Sequence, residues 1–592
     1  MATKAAESGR EGALSRRDHI RGLLALLRPY RLRVALTVAA LLAGTAAGLA
    51  PPLLAKVAID QGIERHREAV LLDAGLAFLA AAALSWATSY LQTYLVGWIG
   101  QRALAELRLR IFEKIQTLGL RSLERRPSGV LISRLTNDIE ALNTLVTDSV
   151  VTLFEAGFTL LGTAGLLLYL DPKLALITFG VCLPMAALSV WFRLASAGAF
   201  RRTRETIGAL TAYLQETIAG IKVVRSFAQE RRHEARFAAL SDANRQANME
   251  TVYLNAAYFP AVELLSGLGI AAIVLYGGSQ ALSGAASAGT IVAFVAALAN
   301  LFEPIQQLSQ LYTTYQSGMA ALDKIFLLLA EQPDPRDADG PKAIGPIKGC
   351  VRFEAVSFSY VGPDGPFALE GIDLEVPPGQ TVALVGPTGA GKSTLVKLIA
   401  RFYNPTAGRV LIDSVDLREV QGPSLRRQLG IVPQEGFLFS GTVLENIAFG
   451  KEGVGEPEVR AVLAALNATE LIEALPRGLA TEVGERGVRL STGQRQLVAF
   501  ARALLADPRI LILDEATSSV DPVTERRLQE ALQRLVAGRT TFLIAHRLST
   551  VEAAELIVVL DRGRIVERGT HRQLVEGGGL YASLYSYWRA AA

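Results

Sequence analysis

The chain has 592 residues, half of them hydrophobic and a fifth charged, with a formal net charge of +4. A mean hydropathy of +0.30 is too high for a wholly water-soluble enzyme of this length. The small, dispersed charge excludes a nucleic-acid partner, and Cys182 and Cys350 lie too far apart, in unlike sequence, for a disulfide framework or a metal site.

Residues 1–31 are polar and basic and lack the apolar core of a secretory signal. Residues 32–54 are almost wholly apolar, more than the roughly 20 that a helix needs to cross a bilayer. Pro51-Pro52 is expected to end or bend that helix. Further spans are expected at about 69–99, 147–170, 174–192, 254–282 and 286–304, which makes six. Trp86, Tyr90, Tyr94 and Trp98 lie along the second, where some suit an interface, and Leu170-Asp171-Pro172-Lys173 is a turn between the third and fourth. Glu155, Glu263 and Glu303 are ionisable groups within or at the end of spans, Glu303 reading as structural.

Basic residues concentrate in the N-terminal segment and in the intervals 100–146 and 193–253. The opposite loops hold little beyond Arg65, Arg67 and Lys173. By the positive-inside rule the N-terminus and both long intervals face the cytoplasm. Leu104, Leu107, Ile111, Ile115 and Leu118 recur at helical spacing, so the long intervals read as cytoplasmic extensions of the membrane helices.

Residues 331–349 are rich in proline and glycine and read as a linker. From Cys350 short β-branched runs alternate with helical ones, an α/β pattern. The expected division is therefore a transmembrane domain at 1–330, a linker at 331–349 and a nucleotide-binding domain at 350–592. The fold class is an α-helical membrane domain followed by an α/β P-loop ATPase domain.

Gly386-Pro387-Thr388-Gly389-Ala390-Gly391-Lys392-Ser393-Thr394 follows an apolar run, Val382-Ala383-Leu384-Val385, and precedes a helical one. Strand, glycine-rich turn and helix is the setting of a phosphate loop. Glycines let successive backbone N–H groups approach phosphate oxygens, Lys392 reaches the β- and γ-phosphates, and the Ser393 hydroxyl can ligate Mg²⁺. Ile510-Leu511-Ile512-Leu513 is a second apolar strand, ending in Asp514 and Glu515. Asp514 suits the carboxylate that holds Mg²⁺, and Glu515, pointing the other way, suits a general base on an attacking water. The cofactors expected are ATP and Mg²⁺.

Leu490-Ser491-Thr492-Gly493-Gln494 resembles the signature motif of the ABC ATPases. With six spans ahead of one ATPase domain, the whole chain resembles an ABC exporter half-transporter of the multidrug and lipid exporter type. That resemblance implies that Tyr360 stacks on adenine, that Gln434 contacts Mg²⁺ and senses the membrane domain, and that His546 contacts the γ-phosphate. It makes Thr481–Gly487 the X-loop and Ser518-Ser519-Val520-Asp521 the D-loop. It also implies a dimer with two composite sites, each ATP lying between one chain's phosphate loop and the other's Ser491, Thr492, Gly493 and Gln494, and coupling turns near residues 122–129 and 212–220. The family's consensus has glycine where Thr492 stands. An altered signature beside an intact Glu515 resembles one subunit of the family's heterodimers, with a homodimer that tolerates threonine as the alternative. The resemblance implies ATP-driven export of hydrophobic or amphipathic cargo (drug, lipid or peptide) across the cytoplasmic membrane, with membrane lipid as a further partner. An ATP-gated channel or regulatory subunit on the same scaffold is the alternative.

Overall fold

A computed structural model describes residues 28–332, 342–434, 436–514, 522–545 and 548–591. The chain forms two compact units, one built from residues 1–116 and 128–331, the other from residues 117–127 and 332–592.

Among its described residues the first unit holds six helices long and apolar enough to cross a membrane: Arg28–Ile63, Glu68–Thr117, Ser128–Leu170, Pro172–Ala219, Glu230–Leu282 and Ala288–Leu308. Their principal α-helices are α1 (Arg31–Val57), α2 (Glu68–Thr117), α3 (Val150–Leu170), α4 (Pro172–Ala219), α5 (Glu230–Leu282) and α6 (Ala288–Ala330). With 50 and 53 residues, α2 and α5 are each roughly 75–80 Å long at 1.5 Å per residue, more than twice the hydrocarbon thickness. The excess length matches the cytoplasmic extensions read from the sequence.

Two local expectations change. Pro51 and Pro52 do not end the first span; α1 runs through them and continues as a π-helical stretch, Ala58–Ile63. Membrane helices tolerate internal proline because local π adjustments and neighbouring helices satisfy the freed carbonyls. The second turn expected at 212–220 falls mostly inside α4, which stops at Gly220; the short helix Ile221–Ser226 follows.

Asp171 behaves as the turn signal implied. Its Oδ1 accepts from the N–H groups of Lys173 (2.9 Å) and Leu174 (3.0 Å), and Pro172 occupies the first helical turn of α4. At the same end of the membrane helices, Asp60 in the π-helical stretch accepts from Ser287 Oγ at 2.6 Å and from Gly289 N–H at 2.9 Å. A carboxylate at the N-terminus of α6 meets orphan donors and the positive end of the helix dipole. A side chain at position 289 would collide with Asp60, which fixes glycine there. The apolar core of this unit includes Met185, Ile273, Phe294 and Phe302. Within it Ser189 Oγ and Tyr258 OH pair at 3.0 Å, so neither hydroxyl is left unsatisfied. Glu303 is exposed, and its Oε1 accepts from Gln307 Nε2 at 3.1 Å, one turn along the same helix. Glu155 and Glu263 are exposed on this unit.

Among its described residues the second unit carries ten strands in chain order: β1 (Val351–Phe358), β2 (Leu369–Val376), β3 (Thr381–Val385), β4 (Ala407–Ile412), β5 (Val415–Asp416), β6 (Leu429–Val432), β7 (Ile510–Asp514), β8 (Thr540–Ile544), β9 (Leu556–Asp561) and β10 (Arg564–Gly569). One sheet is antiparallel, in the order β2-β1-β4-β5. The other runs β10-β9-β3-β8-β7-β6 and is parallel except for β10. Strands β3, β7 and β8 are near-continuous apolar runs because both faces of a parallel sheet are covered. Phe353, Phe358, Leu384, Leu395 and Tyr403 fill one core with helix α7 (Lys392–Ile399). Leu511 and Leu513 fill a second with Leu497, Val498 and Phe500 of helix α8 (Thr492–Leu505).

Candidate nucleotide site

The parallel sheet delivers the site. Register pairs Leu384 with Ile544, Ile544 with Asp514, and Leu513 with Val432, so β3, β8, β7 and β6 end along one edge. Ligands of open α/β sheets bind outside such carboxyl ends. The phosphate loop leaves the end of β3, Asp514 caps β7, and Gln434 stands exposed two residues past β6.

Backbone shape explains the glycines. Gly386 has φ +150° and a Cβ there would collide with the Leu560 carbonyl. Gly391, at φ +103°, starts α7, and a Cβ there would lie 2.7 Å from Leu369 Cδ2 and 2.8 Å from the Ala368 carbonyl oxygen. Both positions need the left-handed region that only glycine enters cheaply. The N–H groups of the first turn of α7 therefore face the loop, where a dipole end favours phosphate. Lys392 is buried and its Nζ donates to the carbonyls of Gly386 (2.7 Å) and Pro387 (3.0 Å). Burial pulls its ammonium below the ordinary lysine value, and the charge of Asp514 opposes that shift. Ser393 is exposed, and Thr394 is buried beside Tyr360, their hydroxyls 3.1 Å apart.

Tyr360 stands in an aromatic group, its ring edge-on to Phe358 (4.8 Å) and Tyr403 (5.4 Å). The segment 117–127 packs here, with Leu120 against the core. Within it lies the short helix Leu120–Glu124, where the first coupling turn was expected. Arg125 donates to the Tyr360 carbonyl at 3.1 Å. Glu124 accepts from Lys397 Nζ of α7 at 2.9 Å and from Tyr403 OH at 2.6 Å. Burial alone would raise the Glu124 carboxyl, but the bonds from Tyr403 and Lys397 hold it below the usual range. Burial and that carboxylate push the Tyr403 phenol well up. No motif marks Glu124, Lys397 or Tyr403, and the partners are 273 and 279 residues apart in sequence.

The signature residues form the start of α8. Ser491 Oγ accepts from Gln494 N–H at 3.2 Å and Gln494 Oε1 accepts from Ser491 N–H at 2.9 Å, a reciprocal capping box. Thr492 takes ordinary helical backbone, and its Oγ1 accepts from Arg495 at 3.1 Å. Threonine is thus accommodated without backbone strain in this chain. Gly493 is buried on the same turn. Glu515, Asp521 and His546 lie outside the described residues.

Residues 34–305 match the family described as the ABC transporter transmembrane region, and residues 369–518 match the family described as ABC transporter. The chain is 40% identical over 571 residues to an ATP-dependent lipid A-core flippase of Syntrophus aciditrophicus, covering 96% of this chain and 94% of the relative. This chain is an ABC exporter half-transporter. The half-transporter is also 38% identical over 590 residues to a multidrug efflux ATP-binding/permease protein of Mycobacterium bovis, covering 99% of itself and 49% of that protein. A solved bacterial Atm1-family ABC exporter with ATP bound shares its structure at a TM-score of 0.79 and 32% identity, over 96% of this chain and 99% of that one. The half-transporter is an integral membrane protein with its ATPase domain in the cytoplasm, and it couples ATP hydrolysis to export of hydrophobic or amphipathic compounds.

Proposed function

We propose that the exporter moves a lipid-like amphiphile from the inner leaflet outward, and that each ATP is shared between the phosphate loop of one chain and Ser491–Gln494 of a second. The observation that carries the reading is the single sheet edge bearing the phosphate loop, Asp514 and Gln434, in a chain that also carries six spans. The relatives named as lipid A-core flippases support the lipid class. The functional division is 1–330 for the membrane domain and 350–592 for the ATPase, joined by 331–349.

In this reading Tyr360 stacks on adenine, backbone N–H groups of Gly386–Thr394 and Lys392 hold the phosphates, and Asp521 and His546 complete the site. The exposed Ser393 hydroxyl, the Asp514 carboxylate and the Gln434 side-chain oxygen are hard oxygen donors, the set that suits Mg²⁺. Bound there, the ion would neutralise phosphate charge. Glu515 takes a proton from the attacking water. Thr492 in place of glycine favours a heterodimer in which this chain keeps the hydrolytic carboxylate. No observation favours the gated channel. Reconstitution into vesicles with fluorescent phospholipid tests the cargo class: ATP-dependent loss of the label from the inward-equivalent leaflet is expected, and hydrolysis without redistribution of any lipid tested would overturn it. Purification under native conditions tests the dimer, and recovery of this chain alone as an active pair would overturn the heterodimer.

A further inference from the structure

The cytoplasmic half of α1, the middle of α2 and the start of α3 line a partly open cavity of about 190 Å³. Val34, Leu41, Val96, Ile99, Val150 and Phe158 are among the side chains of its wall. Thr37 is the polar residue there, and its hydroxyl donates back to the Arg33 carbonyl at 2.9 Å, so the wall offers no free polar group. The volume is below the roughly 300–1,000 Å³ of a site for a whole drug-sized molecule. It suits one hydrocarbon chain.

The mouth is basic. The Arg33 guanidinium lies over the Trp98 ring, 3.2 Å from its centroid, and Tyr30 meets the same ring edge-on at 5.7 Å. This stack fixes a cation at the residues next in sequence to Val34 and Ile99 of the wall instead of leaving it to follow the solvent. Arg28 and Arg31 are exposed on the preceding turn. Among the described residues none of Arg28, Arg31 and Arg33 has an acidic partner. These residues lie at the cytoplasmic end of the first span, where the leaflet surface is negative.

Inside a bilayer an apolar slot gains nothing from burying a chain, because the surrounding lipid is as apolar as the slot. Selection has to come from the headgroup. Each basic side chain near the surface favours an anionic lipid by about fivefold. We propose that this slot is a binding site for one acyl chain of an anionic phospholipid of the cytoplasmic leaflet, whose phosphate pairs with Arg33, Arg28 and Arg31. The proposal does not depend on which compound is exported.

The test uses the full-length exporter in nanodiscs. Trp86, Trp191 and Trp588 are replaced by Phe, which leaves Trp98 as reporter at the mouth. Phosphatidylglycerol or phosphatidylcholine with brominated chains is titrated in over the same range of mole fraction. Quenching of Trp98 is expected at a several-fold lower fraction of the anionic lipid. Arg33→Gln should lower that preference about fivefold while leaving the apolar wall intact. Val38→Phe, which fills the slot from its exposed side, should reduce quenching by both lipids. Equal quenching by the two lipids, or a preference untouched by Arg33→Gln, would overturn the proposal. So would no quenching by either lipid, the result if a second copy of the chain covers the slot. The readout requires neither hydrolysis nor transport, so its failure leaves the exporter reading intact.

Discussion

Removing the Glu124 carboxylate tests how the segment between α2 and α3 is held on the ATPase unit. Glu124 and Lys397 are paired at 2.9 Å with side chains 44% and 31% exposed, so solvent screens the pair to about 0.5 kcal/mol. The bond from Tyr403 is charge-assisted and comes from a ring that is almost wholly buried, and it is worth about 1.5 kcal/mol. Together they favour the docked segment by about 2 kcal/mol, roughly thirtyfold in the docking equilibrium. Glu124→Ala should therefore depress the cargo-stimulated part of ATP hydrolysis in reconstituted vesicles. Tyr403→Phe should do so less, and the double variant should be about as impaired as Glu124→Ala alone, because that change already removes both bonds. A coupling energy of about 1–1.5 kcal/mol is expected from this cycle. The carboxyl is held below its ordinary value, so its contribution is complete above about pH 4.3 and is lost only as pH falls through the lowered value. The Glu124 effect should consequently be flat between pH 5 and 8. Additivity of the two variants within about 0.4 kcal/mol would refute the shared-carboxylate account.

Other positions give independent checks. Glu515→Gln should cut turnover about 10²–10⁴-fold with ATP binding retained, measured by steady-state hydrolysis and fluorescent-nucleotide titration. Gly391→Ala forces a side chain into φ +103° against Leu369 and should weaken ATP binding by about tenfold or more, at a strain of roughly 1–3 kcal/mol; unchanged affinity would disprove it. Tyr581 is fully buried, with its hydroxyl 2.6 Å from His571 Nδ1, so Tyr581→Phe should cost about 1–2 kcal/mol and lower the thermal midpoint of the ATPase unit by about 2–8 °C. Burial, then Glu552 and Tyr585, push the Tyr581 phenol up to about 12. A raised value means stability that is complete below about pH 10 and lost as pH rises through 12, an alkaline loss that the Phe variant should lack.

Sequence legibility follows the range of the interaction. The phosphate loop is readable because three glycines, a lysine and a flanking strand meet a backbone demand within nine residues, and Gly386 and Gly391 do adopt the left-handed conformations it needs. Asp514 is readable because an apolar strand of a parallel sheet must end at the ligand edge. The six spans are readable from length and hydropathy alone. Interactions across long sequence intervals are not: Glu124 with Lys397 and Tyr403, or Asp60 with Ser287 and Gly289, carry no local pattern. Proline reads as a helix breaker from propensities measured in water, yet α1 continues past Pro51 and Pro52. Thr492 is a different case. The consensus glycine suggests a backbone requirement, but the position is the first turn of α8, where threonine fits with ordinary angles. Any cost of Thr492 must then lie in what its side chain presents to a ligand, not in the fold of its own chain.

The placement of residues 117–127 ties these observations together. The chain leaves the first unit after residue 116, packs eleven residues into the second, and returns at Ser128. Those residues touch the carbonyl of Tyr360 and the same helix, α7, that begins at Lys392 and carries Thr394. Residues 117–127 are thus one hydrogen bond away from the phosphate-loop helix within the second unit. The polar part of that seat, about 2 kcal/mol, is small enough to break and re-form within a turnover, while Leu120 against the apolar core gives a second hold that has no charge to screen. High salt should accordingly weaken the Glu124–Lys397 part of the contact and leave the Leu120 part unchanged. Stimulated hydrolysis in the wild-type chain should fall with ionic strength more than in Glu124→Ala, and equal salt sensitivity of the two would show that the charge pair carries no part of the coupling.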